Sequence, residues 1–436
     1  MTVAFLISVG RSGGLYTLSL FDGHPQVSCI PIELQFHRHW DLYGCDAIRD
    51  AGKLAEIILS QTRVARLKEG PFHGVTSGPQ EWGRIDFDAF ARTFRGLMWE
   101  RPLSRRNTFL SLHEAYFTTL GRRPDDLKAI VEFGCFADWN AQRLADFPEA
   151  RFLHLVRDPR AFLTSQKMVT YRHYDGLLHP SMSSLHEKFL LNHYNEHAVR
   201  HFTQMYDLQA RLPGQVLVVR TEDMNRDLDA TATRLSQWLD LDDLPCLRDS
   251  TMLGASFRGN SIYDTSEPAP HRQSGEKFRS SSHALERRAL EAVYHKHMEH
   301  LGYRPDYIDH RSGRLRRLTG WLAWCAPFQG ELTWIFNPKS RAFADREPSR
   351  PWLRGIWRNK PAVARLLRRS LVPYFLIRSL AVFVIQRAVI FSRMAAGKYR
   401  LDPRQIMDNA AAGGPVRSAQ PEPNLGAQQP AATGRS

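Results

Sequence analysis

The chain has 436 residues, 43% of them hydrophobic, with a formal net charge of +14, which leaves room for a sizeable core in one large domain or two smaller ones. The charge is uneven: residues 1–310 carry 37 Lys and Arg against 39 Asp and Glu, whereas residues 311–436 carry 22 against 6, a net +16. Five scattered cysteines (Cys29, Cys45, Cys135, Cys246 and Cys325), odd in number and without a C-x-x-C pair, argue against a disulfide framework or a zinc site and for a reducing cytosol.

The chain enters an apolar run at Val3–Val9, with no charged and apolar leader before it, so neither a signal peptide nor an N-terminal anchor is expected. That run reads as a buried strand. Gly10-Arg11-Ser12-Gly13-Gly14 breaks it, and Leu15 to Phe21 continues as a helix. A strand, a glycine-rich turn and a helix start bring backbone N–H groups together around an anion, and Arg11 adds a forked cation. The loop lacks the Gly-Lys-Ser/Thr end of the Walker pattern and is not a Gly-x-Gly-x-x-Gly dinucleotide turn. Taken alone it is equally compatible with a plain strand-to-helix connection.

An extended segment, Ser28–Glu33, follows, then a mostly helical stretch over 35–130 that suits acceptor binding. A helix over 141–147 precedes a strand at Arg151–Val156, which runs into Arg157-Asp-Pro-Arg160 and a helix through Lys167. A further strand at 215–219 leads to Arg220-Thr-Glu-Asp223 and a helix over 227–239. Alternating strands and helices predict an α/β domain with a parallel sheet covered on both faces. Ligands of such sheets bind at the carboxyl ends of strands, and Arg11, Arg157 and Arg220 each lie just past one.

In order and spacing these motifs resemble the sulfotransferases that use 3′-phosphoadenosine 5′-phosphosulfate (PAPS), including bacterial carbohydrate-type and tyrosylprotein-type members. The Gly10–Gly13 loop is similar to the family's 5′-phosphosulfate loop. Leu155–Ala161, with Ser165 eight residues after Arg157, is similar to its 3′-phosphate motif. Arg220–Asp223 and Arg234–Leu239 resemble its Arg-Tyr-Glu-Asp segment and following helix, and Phe257–Ser261 with the helix to Tyr303 resembles the bacterial branch's C-terminal end. The resemblance spans roughly residues 3–305. It implies a P-loop-like sulfotransferase fold over 1–310, with PAPS held by Arg11, Ser12, Gly13, Gly14, Arg157, Ser165, Arg220 and Lys277, and no metal. Arg11 is also assigned to the chemistry, which by analogy with phosphoryl transfer is in-line positioning and charge stabilisation.

Two positions depart from the family: Gly14 replaces the usual threonine of the loop, and Thr221 stands where a tyrosine often lies beside the adenine. The general base suggested by the resemblance is Glu33, about twenty residues past the loop arginine; a surface or ion-paired glutamate is the competing reading. Asp22 is expected to cap the turn before His24-Pro25. Glu222 and Asp223 are expected to orient Arg220 or cap the next helix. His193, His197 and His201 recur every four residues and suggest a solvated or acceptor-facing stripe.

Residues 311–400 hold five of the ten tryptophans among many arginines. The apolar run 371–391 contains Arg378 and Arg387, each costing roughly 2.5–3.5 kcal/mol at a membrane centre, which favours a helix lying on an anionic bilayer over one crossing it. A packed helix of a basic subdomain and a polyanion-binding patch are the alternatives, with nucleic acid disfavoured. Residues 401–436 are expected to be a disordered tail. The sequence thus predicts a cytoplasmic enzyme, peripheral on the inner face of a membrane, that sulfates a saccharide or glycolipid. The opposing prediction is a catalytically silent relative that binds membranes or polyanions through its basic C-terminus.

Overall fold

A computed structural model describes residues 1–69, 85–135, 137–173, 192–257, 277–309, 311–326, scattered positions between 380 and 396, and 401–413. β1 (Thr2–Ser8) lies at the centre of the sheet, and its seven residues are apolar enough to be covered on both sides. Val3, Phe5 and Ile7 enter one core layer and Ala4 and Leu6 the other, as the two-residue period of a strand requires.

The sheet runs through α1 (Gly14–Ser19), β2 (Val27–Ser28), β3 (Ala129–Cys135), β4 (Arg151–Val156) and β5 (Val216–Arg220). Its order is β2-β3-β1-β4-β5, all parallel, with Val3 opposite Ile130, Ala4 opposite Arg151 and Phe152 opposite Val216. Because β1 and β4 are neighbours, the loops after them emerge side by side. This is the predicted α/β architecture with one strand more on either side of the loop: β2 and β3 were not foreseen as strands. In β3 the apolar run is interrupted by Glu132 and Gly134, which hides it; buried Glu132 is accommodated by accepting the Phe36 N–H at 2.9 Å.

The helical stretch between β2 and β3 consists chiefly of α2 (Phe36–Leu42), α3 (Ala51–Gln61), α4 (Phe87–Glu100) and α5 (Arg105–Thr119). Asp50, Asp86 and Ser104 cap the last three by accepting the N–H three residues on. Their apolar faces cover one side of the sheet. After β3 come α6 (Asn140–Asp146), α7 (Pro159–His173), α8 (Asn192–Arg211), α9 (Thr221–Arg226) and α10 (Leu228–Leu239).

The C-terminal part does not separate at residue 310 as charge suggested. α11 (Ala284–His300) packs against α12 (Arg314–Ala323), and Trp324 is fully buried with its indole N–H donating to the Ala289 carbonyl at 2.9 Å. Nor is the chain from 401 without structure: α13 (Pro403–Ala411) packs on α8, and Leu401 is buried beside Tyr206 and Met298 in the same core layer. A few apolar residues, Leu401, Ile406 and Met407, suffice there because the neighbouring surface is already formed. Among the described residues no helix is long and apolar enough to cross a membrane. Most of 371–391, and Trp334, Trp352 and Trp357, lie outside the described residues.

Candidate active site

The loop after β1 is built on unusual backbone. Arg11 has φ 69° and Gly13 φ 84°, both left-handed, and an arginine held there is strained unless its surroundings compensate. They do so through cross-links. Arg157, just past β4, donates from Nη1 to the Arg11 carbonyl at 2.8 Å, and Arg11 Nε approaches Ser165 Oγ on α7 at 3.4 Å. Thr221 Oγ1 donates to the Ser12 carbonyl at 2.7 Å. Thr221 is therefore a tie between β5 and the loop, and at 7% exposure it is buried rather than laid out as a platform for a base.

Within this frame the Ser12 hydroxyl is buried and has no hydrogen-bond partner. A buried hydroxyl left unpaired costs roughly 1–3 kcal/mol, so its presence beside two guanidinium groups marks a place for an acceptor atom from a ligand. α1 is only six residues long, and the cradle rests on the loop, Arg11 and Arg157 more than on a helix dipole. Gly14 is required by space: a Cβ there would lie 2.2 Å from the Phe133 ring and 2.8 Å from Ser8 Oγ. The volume a loop threonine would fill is occupied by Phe133 from β3.

The arginine side of the site is braced from behind. Glu222 is buried; its Oε1 accepts the Asp158 N–H at 3.0 Å and its Oε2 accepts the Tyr303 hydroxyl at 2.8 Å. Burial pushes the Glu222 carboxyl up, against the pull of the Asp158 amide and Arg157. This carboxylate thus ties the β4 turn to the C-terminal segment instead of orienting Arg220. Arg160 is also structural, with a bidentate bond to Asp158, a 2.7 Å bond to Glu291 and a 3.1 Å bond to the Arg304 carbonyl. Neither brace is visible in local sequence, because each partner lies far away along the chain.

The structure therefore gathers Arg11, Ser12, Gly13, Gly14, Arg157 and Ser165 into one cluster. Arg220 lies outside it: its guanidinium carbon sits 4.3 Å from the Tyr303 ring centroid, and Nε is 3.5 Å from Asp223. Arg220 and Arg234 line a cavity of about 340 Å³ along the outer edge of β5. That cavity is separate from the loop cluster, which the buried serine identifies on chemical grounds. Lys277 opens the short helix Phe278–Ser281, which packs on α7, and its carbonyl accepts from Ser280. Arg258 and the segment to Gly275 lie outside the described residues.

Glu33 is half-buried and paired with Arg63, whose Nη1 reaches Oε2 at 2.5 Å and the Glu33 carbonyl at 3.2 Å. Gln35 also approaches Oε2, at 3.5 Å, which leaves Oε1 as the oxygen without a bond. Asp22 is not a turn cap: its Oδ2 accepts from Thr251 and from the Gly254 N–H in the β-hairpin Thr251–Ser256. The histidine stripe is not solvated at its C-terminal end. His201 is buried against His154, with ring centroids 5.2 Å apart, and burial depresses it to about 3. No group of three or more potential metal ligands occurs among the described residues.

Comparison with known proteins agrees with this geometry. The model of a family described as the sulfotransferase family matches residues 4–245. Two solved domains resemble the chain: the sulfotransferase domain of the Synechococcus PCC 7002 olefin synthase (16% identity, 64% of this chain and 88% of that one, TM-score 0.38) and the sulfotransferase domain from the curacin biosynthetic pathway (13% identity, 70% and 98%, TM-score 0.41). No curated protein matches the chain.

Proposed function

Because the chain belongs to the sulfotransferase family, we propose that it moves the sulfuryl group of PAPS to a hydroxyl or amine of an acceptor, a saccharide or glycolipid. The observation that carries the reading is the buried, unpartnered Ser12 hydroxyl in a loop cross-linked to Arg157 and Ser165. PAPS, when bound, supplies a sulfuryl group on its 5′-phosphate and carries the 3′-phosphate that distinguishes it from ATP.

Ser12 and the loop amides hold the 5′ end, and Arg157 with Ser165 receives the 3′-phosphate. Arg11 offsets negative charge beside the reacting group, where a fixed guanidinium acts with little reorganisation. Glu33 Oε1 takes the acceptor's proton, while Arg63 holds the other oxygen and so sets the direction of the carboxylate. Arg220 acts at one remove, by packing on Tyr303, whose hydroxyl holds Glu222. Lys277 is assigned to the cofactor by resemblance alone.

Thermal unfolding with 3′,5′-ADP against 5′-ADP tests the donor site. At about a hundred times its dissociation constant the 3′,5′ isomer should add about 2.7 kcal/mol of stability, and Arg157→Ala should abolish the shift. An equal response to both isomers, or none to either, refutes a PAPS site and favours the silent relative, for which Gly14 is the supporting feature. Glu33→Gln should keep the nucleotide shift yet lower transfer from labelled PAPS to a saccharide or lipid panel by roughly 10²–10⁴-fold. Unchanged transfer would return Glu33 to a structural pair with Arg63.

A further inference from the structure

The leucines of α12 point the wrong way for a helix of a freely soluble surface. Its inner face is settled by contact: Trp324 bonds Ala289, and a Cβ at Gly320 would lie 2.8 Å from Ala292 and 2.4 Å from Ile308. Leu315, Leu318 and Leu322 fall on the opposite face, 76%, 46% and 53% exposed, at the i, i+3, i+7 spacing of one helical stripe. Exposed Arg311, Arg314 and Arg316 accompany the stripe, at the start of the segment that carries net +16. The polarity is inverted again further on: helical Leu380, Val384 and Ile385 are exposed while Arg387 is buried. An apolar stripe rimmed by cations matches the acyl boundary and the anionic headgroups of a bilayer together.

We infer that the outer face of α12 rests on an anionic lipid surface, with Leu315, Leu318 and Leu322 entering the acyl boundary and Arg314 and Arg316 lying at headgroup level. Membrane attachment of this kind is independent of donor chemistry, and it is read without any catalytic assay.

The test is flotation of the full chain with vesicles of phosphatidylcholine and phosphatidylglycerol, against vesicles of phosphatidylcholine alone. The intact protein should float with the anionic vesicles, and less so in high salt. Leu318→Ser with Leu322→Ser should lower partitioning about tenfold or more, as should Arg314→Glu with Arg316→Glu. These positions are exposed, so an unchanged urea midpoint and circular dichroism spectrum are expected to accompany the loss. Leu285→Ser, an exposed leucine on α11, should leave partitioning unchanged. The inference is overturned by absent flotation, by equal loss in Leu285→Ser, or by wild-type flotation of both α12 pairs. It is also overturned if the leucine pair instead abolishes a dimer seen in sedimentation, or if RNA competes the vesicles away.

Discussion

Gly14 and Phe133 form one unit at the residue scale. The ring occupies the volume that a side chain at position 14 would need, with a separation of 2.2 Å that no rotamer of a Cβ can avoid. Gly14→Ala should therefore destabilise the protein by about 1–3 kcal/mol through overpacking and displace the loop. Gly14→Ala combined with Phe133→Leu should recover much of that loss, a non-additivity measurable by a urea-unfolding cycle. The sequence marked position 14 as a departure from the family but gave no sign of the ring that compensates for it. Thr221 teaches the same lesson. Its side chain faces inward to the Ser12 and Val156 carbonyls, a direction that depends on β5 lying beside β4.

Glu291 is the hinge of the architecture at the scale of elements. From α11 it accepts Arg160 at 2.7 Å and the N–H groups of Asp306, Tyr307 and Ile308 at 2.8, 2.6 and 2.9 Å. One buried carboxylate thus joins α7, α11 and the turn that carries Tyr303 behind the β4 loop. Removing it leaves a buried guanidinium and three backbone donors without this partner. Glu291→Ala should cost about 3–5 kcal/mol, and Glu291→Gln clearly less, in urea unfolding. The same loss should weaken 3′,5′-ADP binding, because Arg157 and Asp158 are held from this side. Strand–loop–helix alternation was legible at this scale, since apolar runs and glycine turns are local signals. β3 was not, because Glu132 and Gly134 look unlike a core strand until α2 and Arg143 are packed against them.

Acid should weaken the whole molecule through its interior histidines. Burial depresses His113 and His201 to about 3, and it lowers His154 and His297 well below the ordinary histidine range. The unfolded chain then binds more protons than the folded one between pH 6.5 and about 3, so stability is present above that window and lost as pH falls through it. Each of His113 and His201 contributes a slope of up to about 1.4 kcal/mol per pH unit. Glu222 works in the opposite sense: burial raises it, so its ionisation withdraws stability as pH rises past the ordinary carboxylate range. Urea midpoints between pH 7 and pH 4 should fall steadily, and His201→Phe should flatten the decline. A midpoint independent of pH over that range would mean that these rings are open to water.

The sequence by itself determined the central strand, the anion loop after it, the second arginine turn with its serine eight residues on, and the uneven distribution of charge. All of these are short-range patterns: period-two apolar runs, glycine at a left-handed turn, residues one or two helical turns apart. Tertiary structure alone decided that β1 and β4 are neighbours, which is what brings Arg11 to Ser165 and Arg157 to the loop. It likewise decided that Glu222, Glu291 and Tyr303 support the site from the rear, and that α12 turns its leucines outward while Trp324 closes the core. Those outcomes depend on which surfaces meet after the chain has folded, and partners separated by about a hundred residues leave no periodic trace along it.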